Sequence, residues 1–154
     1  WRDDPAGLLA RMDRFLEIAS AHGMRTMWVP FCDCSFSGRE PYLGPQDPPL
    51  SGVHNSGWVP SPGHERVNDP AAWPDLERYV KDLVGHFRAD RRVLIWDLYN
   101  EPGMSGQGAR SLRLVLAAFQ WAREAEPTQP LTVSASGFVT HFEVLTLHAT
   151  RKTT

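Results

Sequence analysis

Apolar residues recur along the chain in two alternating rhythms, one helical and one extended. Leu8, Leu9, Met12, Phe15, Leu16 and Ala19 fall at helical spacing. Asp4 followed by Pro5 supplies an N-cap and a first-turn proline, and His22-Gly23 supplies a stop. A helix is therefore expected from Asp4 to His22. Met24 to Phe31 follows as a mostly apolar run of strand length. The plan then repeats. Asp69-Pro70 gives a cap and a first position, and Trp73, Leu76, Val80, Leu83, Val84 and Phe87 form one apolar stripe. Val93 to Tyr99 reads as a buried strand. A third helix is expected from Gln107 to Glu126, with Leu112, Val115, Leu116, Phe119 and Ala122 facing inward. Pro127 and Pro130 end it. Leu131 to Ser134 is the next strand, and Val144 to His148 a fourth.

Strands that are apolar along their length and alternate with helices imply a parallel sheet covered by helices. A doubly wound open sheet and a (β/α)8 barrel both satisfy that pattern. No Gly-rich phosphate fingerprint follows any strand, which weakens the dinucleotide-binding open sheet. A full barrel needs about 250 residues. The expected fold is therefore α/β, a partial (β/α)8 TIM barrel over residues 1–148, with parallel strands and outer helices. About half a barrel would leave edge strands and apolar interior uncovered. The chain opens on Trp1 and has no initiator Met, so its start reads as a truncation. Residues 149–154 read as a frayed or foreign tail.

One connection breaks the rhythm. Cys32 to Asn68 holds no clear element, only Gly, Pro, Ser, aromatics and two His. Structureless loops beyond about 12–15 residues are usually functional or disordered. Phe36, Tyr42 and Trp58 argue against a plain flexible linker. The loop follows a strand and precedes a helix, which in a barrel puts it on the catalytic rim.

Charge narrows the partners. A net charge of −2 gives no electrostatic reason to expect nucleic acid or an anionic membrane. No apolar run approaches the roughly 20 residues of a membrane span. The two cysteines stand in Cys32-Asp33-Cys34. A disulfide across one residue is strained, so two free, partly buried thiols are expected.

The chemistry gathers at Asn100-Glu101-Pro102, where the apolar strand from Val93 ends. Barrel enzymes place catalytic side chains there. Pro102 disfavours a helical Glu101, so the strand is expected to stay extended through the carboxylate. Strict alternation would then send Asn100 and Glu101 to opposite faces. For both to serve one site, the strand end must bulge or twist.

Trp96-Asp97-Leu98-Tyr99-Asn100-Glu101-Pro102-Gly103, after a helix ending Phe87-Arg88-Ala89-Asp90-Arg91-Arg92, resembles the fourth strand of clan A glycoside hydrolases. These are the family-five-like cellulases, mannanases and related β-glycosidases. Leu145-Thr146-Leu147-His148 is similar to the clan's sixth strand, although Ala149-Thr150 follows where Asn-Tyr is frequent. The resemblance covers nearly the whole chain, as strands three to six, and only the fourth-strand motif is highly specific. It implies a retaining hydrolase of β-linked oligo- or polysaccharides without a cofactor. Glu101 would be the acid/base, and Asn100 would bind the sugar 2-hydroxyl. The nucleophile would be a seventh-strand Glu outside this chain. An extracellular or periplasmic setting is implied by the same resemblance.

Further candidates line the expected rim. Asp33, just past a strand, is expected to contact sugar or Glu101. Trp58 either stacks on a pyranose ring or anchors the long loop. His54 either meets sugar hydroxyls or is structural. His148, at a strand end, is either a pocket residue or a core histidine. Glu143 precedes a strand and belongs to the opposite rim. Cys32, Asp33, Cys34, His54 and His64 match no common zinc spacing, so no metal is expected. No nucleophile elbow supports Ser or Cys catalysis.

Overall fold

A computed structural model of the chain describes residues 1–35 and 38–135. Helix α1 spans Pro5–Ala21. The Gly7 N–H donates to Asp4 Oδ1 at 2.8 Å, satisfying one of the donors that a first turn leaves open. Gly23, just past the end, takes φ 72°, a conformation that costs a residue with a Cβ. Met12, Leu16 and Ala19 are buried. Phe15, expected on the same stripe, is 52% exposed and leans on Trp28, with ring centroids 5.4 Å apart.

The strand expected over 24–31 forms as two pieces, β1 (Thr26–Trp28) and β2 (Phe31–Cys32). The break falls at Val29-Pro30, because Pro30 has no N–H to give a ladder. Both pieces pair with β3 (Val93–Asn100), with a slip between Thr26 and Met27 and a single register from there on: Trp28 opposite Trp96, Phe31 opposite Tyr99. They act as one interrupted strand. β4 (Leu131–Ser134) also pairs with β3, and every pairing is parallel.

Helix α2 (Trp73–His86) starts later than the Asp69-Pro70 signal suggests. Asp69 Oδ1 instead accepts from Ala71 N at 3.0 Å, closing a separate turn. Pro74 then occupies the first helical turn, where a missing N–H costs nothing. A 3-10 turn at Gly108–Ser111 leads into α3 (Leu112–Glu124).

The helices lie side by side. The Trp1 indole, just ahead of α1, donates to Asp82 on α2 at 3.1 Å. Trp73 meets Trp121 on α3 edge-on, with centroids 5.8 Å apart. Lys81 joins Glu77 to Glu124. Their inner faces and β3 share one core, in which Leu16, Val80, Val84, Trp96, Leu98 and Leu114 are fully buried.

The chain is thus α/β, with a small, open parallel sheet. A central parallel strand is normally covered on both faces. Here Leu94 of β3 is 44% exposed and Met27 of β1 50%. Cys32 is covered at its outer edge, exchanging two 2.8 Å backbone hydrogen bonds with Ser61 of the long loop. The strand expected at 144–148, its His148 and the tail 149–154 lie outside the described residues.

One ionic cluster ties α1 to the start of β3. Arg92 contacts Asp13 at 2.5 Å and Asp90 at 2.6 Å. The hydrogen bond from the Arg92 side chain holds the Asp90 carboxyl below its usual range, against an opposing effect of burial. A depressed carboxyl stabilises the fold above the unfolded-state carboxyl range. That contribution is lost as pH falls through the folded-state value. Asp90→Asn should therefore lower the urea midpoint at pH 7, and the gap to wild type should close in strong acid. A gap that persists unchanged into strong acid would rule this account out.

Candidate functional site

β3 ends at Asn100, and the chain then turns sharply. Glu101 has φ 47°, in the left-handed region. A bulky side chain rarely adopts that conformation, which costs of order 1–3 kcal/mol. The strand therefore does not run extended through Glu101, as Pro102 suggested. Pro102 disfavours the right-handed helix but does not select the extended form. Hydrogen bonds on the far side of the residue decide the matter. Glu101 N donates to Ser134 O of β4 at 2.8 Å, and Met104 N donates back to Glu101 O at 3.2 Å. The register of β3 on β4 also slips between Asp97 and Asn100. The irregularity that alternation demanded is present as this slip plus the left-handed residue.

The turn brings two neighbours to one point. Asn100 Nδ2 lies 3.2 Å from Cys32 Sγ and 3.7 Å from Cys34 Sγ. The Cys34 thiol donates to Glu101 Oε2 at 2.7 Å. Asn100 and Glu101 thus converge on the same sulfur instead of diverging. Burial first, and then the hydrogen bond to Glu101, push the Cys34 thiol well above its usual range. The group facing the carboxylate is therefore S–H. Both cysteines are free, as expected; Cys34 is buried and Cys32 half-buried.

Asp33 faces the other way. It was expected to contact sugar or Glu101, yet it is fully buried. Tyr99 OH donates to Oδ1 at 2.7 Å, while Gly103 N and Ser111 Oγ donate to Oδ2 at 2.6 and 2.5 Å. A buried carboxylate needs such donors, and alternation sends Asp33 to the face opposite Cys32 and Cys34. Burial, reinforced by the Asp33 charge, raises the Tyr99 phenol above its ordinary value and keeps it a donor. Asp33 is thereby a buried brace beneath the site, its oxygens met by protein donors.

The other expected residues are placed as follows. Trp58 is 47% exposed, so it is not a buried anchor for the loop. His54 is exposed, with Nε2 3.0 Å from the Asn55 amide. His64, which the spacing did not single out for the rim, places Nε2 2.9 Å from Asp33 O. Asp97 is buried, accepting from Ser134 N at 3.0 Å and from Ser134 Oγ. Cys34, Gly103, Ser111 and Ser134 were not anticipated as site residues. Their signal is the parallel register, which local spacing does not carry. Among the described residues, no group of three or more His, Cys, Asp and Glu could hold a metal ion. A groove of about 440 Å³ between α2 and α3 includes Trp73, Arg113 and Trp121 and shares no residue with the Glu101 cluster.

A scan against protein-family models and searches of curated proteins and of solved structures found no match to this chain.

The brace gives a direct test. In Asp33→Asn one acceptor oxygen becomes an NH2 group that opposes a buried donor. The unfolding free energy should fall by about 1–3 kcal/mol, read from urea denaturation. A loss within about 0.5 kcal/mol, as for an ordinary surface substitution, would show that the brace does not hold.

Proposed function

We propose that this chain is part of a (β/α)8-barrel glycoside hydrolase that cleaves β-linked glycans with retention, with Glu101 as its general acid/base. One observation carries the reading. Glu101 and Asn100 converge at the C-terminal end of the central strand of a parallel sheet. In barrel enzymes that is the end where chemistry is done. The fourth-strand resemblance says which chemistry. The open sheet with exposed Leu94 and Met27 is consistent with part of a larger closed one.

In this reading Glu101 protonates the leaving oxygen and later activates water. The Asn100 amide rests against sulfur, a weak acceptor that a sugar 2-hydroxyl can replace. The half-exposed ring of Trp58 is free to stack on a pyranose, with the exposed His54 on the same loop. The nucleophile must be a second carboxylate about 5–5.5 Å from Glu101. Asp33 cannot serve, since its oxygens are engaged beneath the site. By the resemblance it is a Glu from a later strand, and the protein acts outside the cytoplasm.

The test uses the full-length protein on β-glucan, β-mannan and xylan oligosaccharides. Glu101→Gln should lower kcat/KM on the hydrolysed glycan by about 10²–10⁴-fold. A dinitrophenyl glycoside, whose leaving group needs no proton, should be spared. Undiminished glycan hydrolysis would remove Glu101 from the mechanism. Glycan binding without hydrolysis by the wild type would instead favour a non-catalytic carbohydrate-binding barrel.

A further inference from the structure

We infer that Cys34 is a positioning residue for Glu101, its S–H holding Oε2 so that Oε1 is the oxygen that delivers the proton. The inference rests on the acid/base reading above. The thiol lies 2.7 Å from Oε2, and this is the hydrogen bond that the carboxylate makes among the described residues. Cys34 is 3% exposed, so water does not compete freely for the sulfur. Its surroundings are tied down by hydrogen bonds. Cys34 N donates to Cys32 Sγ at 3.3 Å, and the preceding Asp33 is pinned by three donors. A rigid neighbour is what fixes a catalytic side chain's orientation.

The kind of donor matters. A general acid must hold a proton before reaction and lose it during reaction. Lys or Arg beside a carboxylate favours its ionised form and opposes the first half of that cycle. A neutral, weakly donating thiol orients the group with little bias. A donor on Oε2 leaves the carboxyl proton to Oε1. In the first step that proton passes to the glycosidic oxygen as its bond to the anomeric carbon breaks. The nucleophile carboxylate forms the new bond to that carbon. In the second step water bonds the anomeric carbon, the nucleophile leaves, and the water proton returns to Oε1.

The experiment compares Cys34→Ala, Cys34→Ser and Glu101→Gln in the full-length protein. Each is assayed on the hydrolysed oligosaccharide and on its dinitrophenyl glycoside. Cys34→Ala should lower kcat/KM on the oligosaccharide by about 10–100-fold, a fraction of what losing the acid costs. The dinitrophenyl substrate should lose about threefold or less, since it bypasses the acid. Cys34→Ser, which keeps a donor, should recover most of the oligosaccharide activity. Equal losses on both substrates would mean a merely structural role and overturn the inference, as would no loss on either. If Glu101→Gln shows leaving-group dependence and Cys34→Ala does not, Cys34 alone is misassigned. If Glu101→Gln shows none, the acid assignment falls and this one with it. Should Cys34→Ala fail to fold, Cys34→Val fills the same space without a donor and replaces it.

Discussion

A buried carboxylate with three donors holds the C-terminal end of this sheet together. Asp33 stands at the exit of β2, with no exposure, and receives hydrogen bonds from Tyr99, Gly103 and Ser111. An ionised group taken out of water costs several kcal/mol unless its lone pairs are met. Meeting them here requires β3, the turn after it and the 3-10 turn before α3 to keep fixed places. The chain from Asp33 to Ser35 is thereby locked to the chain from Tyr99 to Ser111. Ser35 and Ser105 add a second pair of contacts, Ser35 N to Ser105 Oγ at 2.9 Å and Ser105 Oγ to Ser35 O at 3.2 Å. The approach of Cys34 to Glu101 follows from that lock and not from a chance pose of a loop.

The left-handed Glu101 depends on the same frame. Unfavourable backbone of this kind persists only where its surroundings over-determine it. On one flank, Asp33 grips Gly103 two residues later. On the other, Ser134 accepts from Glu101 N, and Asp97 grips Ser134 through both its N–H and its hydroxyl. Two buried aspartates, one serving β2 and one serving β4, therefore stand on either side of a single strained residue. Unfavourable backbone held in place at a strand end is a reason to look there for function.

Much of this was legible in the sequence, and what was not has physical causes. The three helical stripes, the Asp4-Pro5 cap and the strands at 93 and 131 are local patterns, and they appear close to where spacing puts them. Pro30 splits an apolar run that reads as one strand, since burial favours continuity and the missing N–H interrupts it. Asp69-Pro70 carries a cap signal that a local turn consumes before the helix starts. The conflict between alternation and a shared role for Asn100 and Glu101 was visible in advance, although its resolution at positive φ was not. Asp33 read as a rim residue because position along the chain was clear and facing was not. The Cys34–Glu101 contact joins residues 67 positions apart. The register of β2 on β3 brings them near, and the Asp33 lock fixes their approach.

That register also explains the character of the site. Phe31 opposes Tyr99 and Cys32 opposes Asn100. Alternation then gives the two strand ends one dry side, with Asp33 and Tyr99, and one polar side, with Cys32, Cys34 and Asn100. The left-handed turn moves Glu101 to the polar side. The partners it finds there are thiols, which hydrogen-bond weakly and carry no charge while protonated. Such partners set where Asn100 and Glu101 point. The strong, charged interaction is kept on the dry side, where it stabilises the frame. This separation gives one strand end a braced side and, opposite it, a side where Cys32 and Cys34 meet Asn100 and Glu101.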